Sequence, residues 1–155
     1  MYGNGNIDID TEYCVLDIET TGIPYRSEMI TEIGAMKIKN GEVIDEFECF
    51  VNPEKPIPYE VVQVTHITDD MVKDAKTIKE VLPEFIKFCG DDVLVAHNAN
   101  FDIGFLRYQA QKLGLKFENT YIDTLSLAKD LFPEYTKYKL GIIAANLGIR
   151  VDVAH

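Results

Sequence analysis

The hydrophobic positions of this chain switch between two periods, and the switches outline its elements. Residues 13–19 (YCVLDIE) form an apolar run ending in acids, broken by Thr20-Thr21-Gly22-Ile23-Pro24. A buried strand followed by a turn is predicted. Residues 29–39 alternate toward their end, with Ala35, Lys37 and Lys39 set against Met36 and Ile38. Asn40-Gly41 then offers a two-residue turn into residues 42–51, which predicts an antiparallel hairpin. Proline and polar residues crowd positions 52–74, where short helices or turns are expected. Residues 77–89 carry Ile78, Val81, Leu82, Phe85, Ile86 and Phe88 at helical spacing, with Gly90 just past the end. Residues 93–96 are a second buried strand. Residues 101–113 are a helix whose apolar side holds Ile103, Phe105, Leu106 and Ala110, stopped by Gly114. Residues 121–123 are a third short core strand, and residues 125–131 and 139–147 complete a run of helices. This order predicts an α/β fold: a mixed sheet with an antiparallel hairpin, flanked by helices.

Composition narrows the picture. At 155 residues, 46% apolar and 26% charged, the chain fits one globular domain and not a disordered segment. No apolar run approaches the ~18–20 residues that cross a bilayer, so no membrane partner is expected. Residues 1–6 lack the basic start and apolar stretch of a secretory signal. Cys14, Cys49 and Cys89 are odd in number and sit in apolar segments, which suits buried reduced thiols in a cytoplasmic protein. The formal charge is −11. Proteins that bind nucleic acid by neutralising phosphates usually carry a basic patch. This chain is poorly suited to tight, metal-free duplex binding, whereas a site that meets phosphate through bound cations is compatible with its acidity.

Asp17 and Glu19 lie two positions apart on a predicted strand, so both carboxylates project to one side while Leu16 and Ile18 face the core. Adjacent acids repel unless something positive sits between them. Hard divalent cations take oxygen ligands, commonly one or two carboxylates with phosphate and water. A bare D-x-E also fits a solvated strand end. Asp102 falls in the first turn of the helix after the second strand, where the helix dipole favours an acid without any function. If the two strands are neighbours, it approaches Asp17 and Glu19 at the carboxyl ends of the strands, where open α/β sheets place their sites.

Asp17-Ile18-Glu19-Thr20-Thr21-Gly22 and His97-Asn98-Ala99-Asn100-Phe101-Asp102 resemble the first two motifs of the DnaQ-like, DEDDh-type 3′→5′ exonucleases. The likeness extends through the Asn-Gly hairpin, Asn52-Pro53, Ile67-Thr68-Asp69 and Ile122-Asp123-Thr124. Within that family the chain is most similar to the proofreading exonuclease domains of PolC-type replicative polymerases. The resemblance implies an RNase H-like fold over residues 13–155, without that domain's C-terminal helix and last motif acid, behind an N-terminal extension of residues 1–12. It implies two divalent ions, Mg²⁺ or Mn²⁺, held by Asp17, Glu19 and Asp102, with His155 as general base. It also implies a single-stranded or frayed DNA 3′ end as substrate and a parent or associated DNA polymerase as partner. Backbone N–H groups of Thr21, Gly22 and Ile23, beside Thr20, would approach the terminal nucleotide, with Ile23 against the last bases. Asn98 and Phe101 are further candidates for strand contact, although Phe101 also suits a core aromatic. Asp123 matches a structural position, and His97 and His66 read as turn and loop residues.

Two other functions fit the same residues. A related exoribonuclease would differ in tolerating a 2′-hydroxyl, which the sequence does not reveal. A catalytically incomplete nucleic-acid- or metal-binding fragment would keep the fold without turnover.

Overall fold

A computed structural model describes residues 3–4 and 12–150 of the chain. Among the described residues, the strands are β1 (Gly3–Asn4), β2 (Glu12–Thr20), β3 (Ile30–Lys39), β4 (Glu42–Phe50), β5 (Val93–Ala96) and β6 (Tyr121–Asp123). The helices are α1 (Tyr59–Thr65), α2 (Asp69–Val72), α3 (Ile78–Cys89), α4 (Ala99–Lys112), α5 (Thr124–Leu131) and α6 (Leu140–Asn146). The expected mixed sheet with its hairpin is what forms.

The strand order is β1-β6-β5-β2-β3-β4. β2 pairs antiparallel with β3 and parallel with β5, and β5 pairs parallel with β6. The hairpin turn at Asn40-Gly41 has positive φ at both positions, 51° and 79°, which matches the right-handed twist of the strands it joins. A bulge between Lys37 and Ile38 shifts the β3–β4 register by one residue. Gly3 and Asn4 add a two-residue antiparallel edge to β6, a pairing too short to leave any hydropathy period.

Alternation along β2 sends Cys14, Leu16 and Ile18 into the core and leaves Val15 and Asp17 exposed. The core packs β2 and β3 against α3 and α4, with Val81, Leu82, Phe85, Phe105 and Leu106 among its members. Phe85 and Phe105 are completely buried, and burying a side chain of that size contributes about 1.5–3 kcal/mol. Thr77 and Glu80 form a capping box that starts α3 where its apolar period begins. The three cysteines are free thiols; Cys14 and Cys89 are buried as expected, whereas Cys49 is only half-buried because its strand lies at the sheet edge. Among the described residues, no helix is long and apolar enough to cross a membrane.

Candidate active site

The parallel β2–β5 pairing brings the end of β5 beside the acidic end of β2, and α4 starts three residues after β5. This placement seats Asp102, in the first turn of α4, next to Asp17 and Glu19. All three line one groove of about 720 Å³, together with Asn98 and Phe101. Asp102 is 3% exposed. The backbone N–H of Ile18 donates to its carboxyl, while its Oδ2 is buried without a hydrogen-bond partner. Burial first, then the negative charge of Asp17, with smaller contributions from Glu19 and Asp123, pushes its pKa up to about 8.

The register adds acids to the same face. Asp17 lies opposite Gly34, Gly34 opposite Glu48, and Met36 opposite Glu46. Glu19 pairs directly with Glu32. Like charges opposite one another destabilise a sheet, so this face favours cations. Glu46 and Glu48 escape plain counting from the Asn-Gly turn, because the bulge exchanges the two faces of β4 beyond it. Among the described residues, no three His, Cys, Asp or Glu side chains close into a finished metal cage. The donor set nevertheless suits a hard divalent ion: carboxylate oxygens, one of them orphaned, in mutual repulsion. Such an ion would lower the pKa of Asp102 and complete its shell with ligands from outside the three.

The turn that delivers Asp102 is fixed by its neighbours. Asp123 Oδ1 accepts from the backbone N–H of Asn98 at 2.9 Å and of Leu125 at 3.0 Å, and Ser126 Oγ donates to Oδ2 at 3.3 Å. His97 Nε2 lies 2.7 Å from the Tyr138 carbonyl and Nδ1 lies 3.0 Å from Thr124 Oγ1. A carbonyl only accepts, so Nε2 carries a proton, and neither ring nitrogen is left for a metal. Asn98 takes a left-handed conformation, φ 60°, as the N-cap of α4. The Phe101 ring is half-buried and packs on Phe105, with centroids 5.0 Å apart.

After β2 the chain turns tightly. Thr20 Oγ1 donates to the Gly22 carbonyl at 2.6 Å. Thr21 Oγ1 donates to Glu28 Oε2 at 2.5 Å and accepts from Met29 N at 3.0 Å. The Thr21 N–H is engaged by the Met29 carbonyl at 2.8 Å, which corrects its expected role as a donor to substrate: the loop closes on itself there. Gly22 and Ile23 remain candidates, and the Ile23 side chain is 79% exposed. Glu28 and Lys55, which hold this loop, carry no periodic signal and were not foreseen. His66 caps α1 with φ 59° and is exposed. His155 lies outside the described residues.

A smaller cavity, about 480 Å³ and bordered by Arg107, Gln111 and Lys116, involves none of these carboxylates. The chain resembles known proteins in sequence and in fold. The chain is 47% identical over 146 residues to DNA polymerase III PolC-type of Clostridium perfringens and 49% identical over 142 residues to that of Caldanaerobacter subterraneus. These alignments cover 94% and 92% of this chain but only 10% of either polymerase, so the chain spans about a tenth of their length. Among solved structures, exonuclease X in complex with 5′ overhanging duplex DNA superposes with a TM-score of 0.72 at 26% identity, covering 92% of this chain and 76% of that one. An exonuclease I complex superposes with a TM-score of 0.81 at 14% identity, covering 92% and 38%, which reflects a shared RNase H-like fold. Residues 14–155 match the exonuclease family RNase_T; with its acidic groove set where β2 meets β5, the chain belongs to that family.

Proposed function

We propose that the chain is a divalent-metal-dependent 3′→5′ exonuclease module that hydrolyses the terminal phosphodiester of a DNA 3′ end and proofreads for a PolC-type polymerase. The observation that carries this reading is Asp102, buried with an orphaned oxygen beside Asp17 and Glu19. Relatives at 47% and 49% identity bear the polymerase name, and exonuclease X offers a DNA-bound fold neighbour.

Asp17, Glu19 and Asp102 would hold two ions, Mg²⁺ or Mn²⁺. When bound, these ions supply Lewis acidity for the scissile phosphate and the attacking water. Two such ions would offset most of the negative charge of this groove, which would otherwise repel the substrate phosphate. Gly22 lets backbone pass close to the terminal nucleotide, and Ile23 presents an apolar edge for the last base. Asn98 and Phe101 border the strand path. His155 would accept the proton from water, a role suited to imidazole at cellular pH. A frayed end reaches such a groove at lower cost than a paired one.

The test is nucleotide release from matched DNA and RNA 3′ ends with Mg²⁺ or Mn²⁺. We expect release from DNA, and a loss of roughly 10²–10³-fold in Asp17→Ala, by analogy with removal of one group that stabilises developing charge. Equal rates on RNA overturn the proofreading reading in favour of an exoribonuclease. Unchanged cleavage by Asp17→Ala overturns the assignment of that carboxylate.

A further inference from the structure

The loop that follows β2 is held in an unusual way. Residues 22–28 contribute no buried side chain to the core, so apolar packing does not fix them as it fixes β2. Tyr25 rests edge-on against Tyr108 of α4, with centroids 5.4 Å apart. Tyr25 also meets Phe105 edge-on, with centroids 6.3 Å apart, and Thr20 Oγ1 donates to the Gly22 carbonyl. A further hold is polar and passes through Glu28. Its Oε2 accepts from Thr21 Oγ1 at 2.5 Å and from Lys55 Nζ at 3.0 Å. Lys55 Nζ also donates to the Ser27 carbonyl at 3.2 Å. The hydrogen bonds from Thr21 and Lys55 hold the Glu28 carboxyl below its usual pKa.

Gly22 lies directly on this side chain. A Cβ there would stand 2.9 Å from Glu28 Cγ and 3.0 Å from Cδ, so the Glu28 side chain packs closely on the loop at a position where a larger residue would have to displace it. These contacts form a relay. Lys55, in the segment after β4, pulls on Glu28; Glu28 sets Thr21 and Gly22; and these set the exposed Ile23, four positions from Glu19.

We propose that Lys55 and Glu28 are positioning residues for the 3′-terminal nucleotide, fixing Gly22 and Ile23 relative to Asp17 and Glu19. This inference rests on the nuclease reading above. Neither residue touches the reacting atoms. Their contribution is to hold a solvent-facing loop in one conformation, so that the nucleotide does not meet the cost of ordering it.

The experiment uses the full protein, an oligodeoxynucleotide with a mismatched 3′ terminus, and Mg²⁺ or Mn²⁺. Steady-state kinetics are combined with amide hydrogen exchange at Gly22 and Ile23. In Lys55→Met and Glu28→Gln, KM rises by about tenfold, kcat falls by less, and exchange at the two amides accelerates. The melting temperature stays within about 4 °C, because a partly exposed ion pair contributes little to global stability. Lys55→Arg, which keeps the charge and at least two donors, retains the wild-type KM and exchange. Unchanged KM and exchange in Lys55→Met overturn the proposal. So does a Lys55→Arg variant as impaired as Lys55→Met with both melting lower, since that marks the pair as scaffold alone. Wild-type protein that releases no nucleotide with either ion overturns the nuclease reading and this inference together, whereas an active wild type with indifferent variants overturns this inference only.

Discussion

Burying an acid beside two others has a cost, and Asp102 is where it is concentrated. Its pKa in the fold, about 8, stands above the ordinary 3.8, so without metal the fold favours the neutral form. The stability this group contributes is full below about pH 4, declines as pH rises toward about 8, and stays low beyond that. At about 1.4 kcal/mol per pKa unit, the decline amounts to several kcal/mol. In a chelator, Asp102→Asn should therefore melt above wild type at pH 8 and not at pH 4; coincident melting profiles across that range would contradict the account. Divalent ions should reverse the order, because they stabilise the ionised carboxylate of the wild type. Mn²⁺ binding at pH 7 should release protons, measured by calorimetry in two buffers of different ionisation enthalpy. The pair of acids on β2 was legible from alternation alone. The burial and orphaned oxygen of Asp102 were not, since they depend on which strand lies beside β2.

At the level of elements, the turn between β5 and α4 depends on Asp123, which serves both that turn and the start of α5. Replacing it with Ala removes an N-cap acceptor and leaves the Asn98 N–H unpaired, a loss of about 1–3 kcal/mol. Urea denaturation should show that loss, and weaker Mn²⁺ binding should accompany it, because Asp102 is only four positions beyond Asn98. Strand and helix positions followed the hydropathy period closely: α3 begins one residue after its predicted start and ends where predicted. The face of β4 did not follow. Counting back from the Asn-Gly turn sets Gly34 opposite Phe47 and turns Glu48 inward. The bulge at Lys37/Ile38 reverses this, so that Phe47 packs on Phe85 with centroids 5.4 Å apart while Glu46 and Glu48 face the groove. A one-residue insertion in pairing leaves no mark on composition, and that is why two acids of the site were missed. The turn after β2 was legible, but the hold on it by Glu28 and Lys55 was not, for a related reason: contacts between polar side chains have no period.

For the molecule as a whole, a net charge of −11 works against any approach of DNA that is not mediated by cations or a partner. Affinity for a single-stranded oligodeoxynucleotide should thus be weak in chelator and rise when Ca²⁺ or Mn²⁺ is added at constant ionic strength; fluorescence anisotropy reads the change, and tight binding in chelator would contradict it. The order of the strands bears on something else. Asp17 meets Asp102 only because β5, about half the length of the chain away, lies parallel against β2. During synthesis, a polypeptide extended only as far as the hairpin possesses Asp17, Glu19 and the acids of β4 but not the buried Asp102. The groove that joins these carboxylates therefore takes shape only once α4 has emerged, after the β2, β3 and α3 partners of the core.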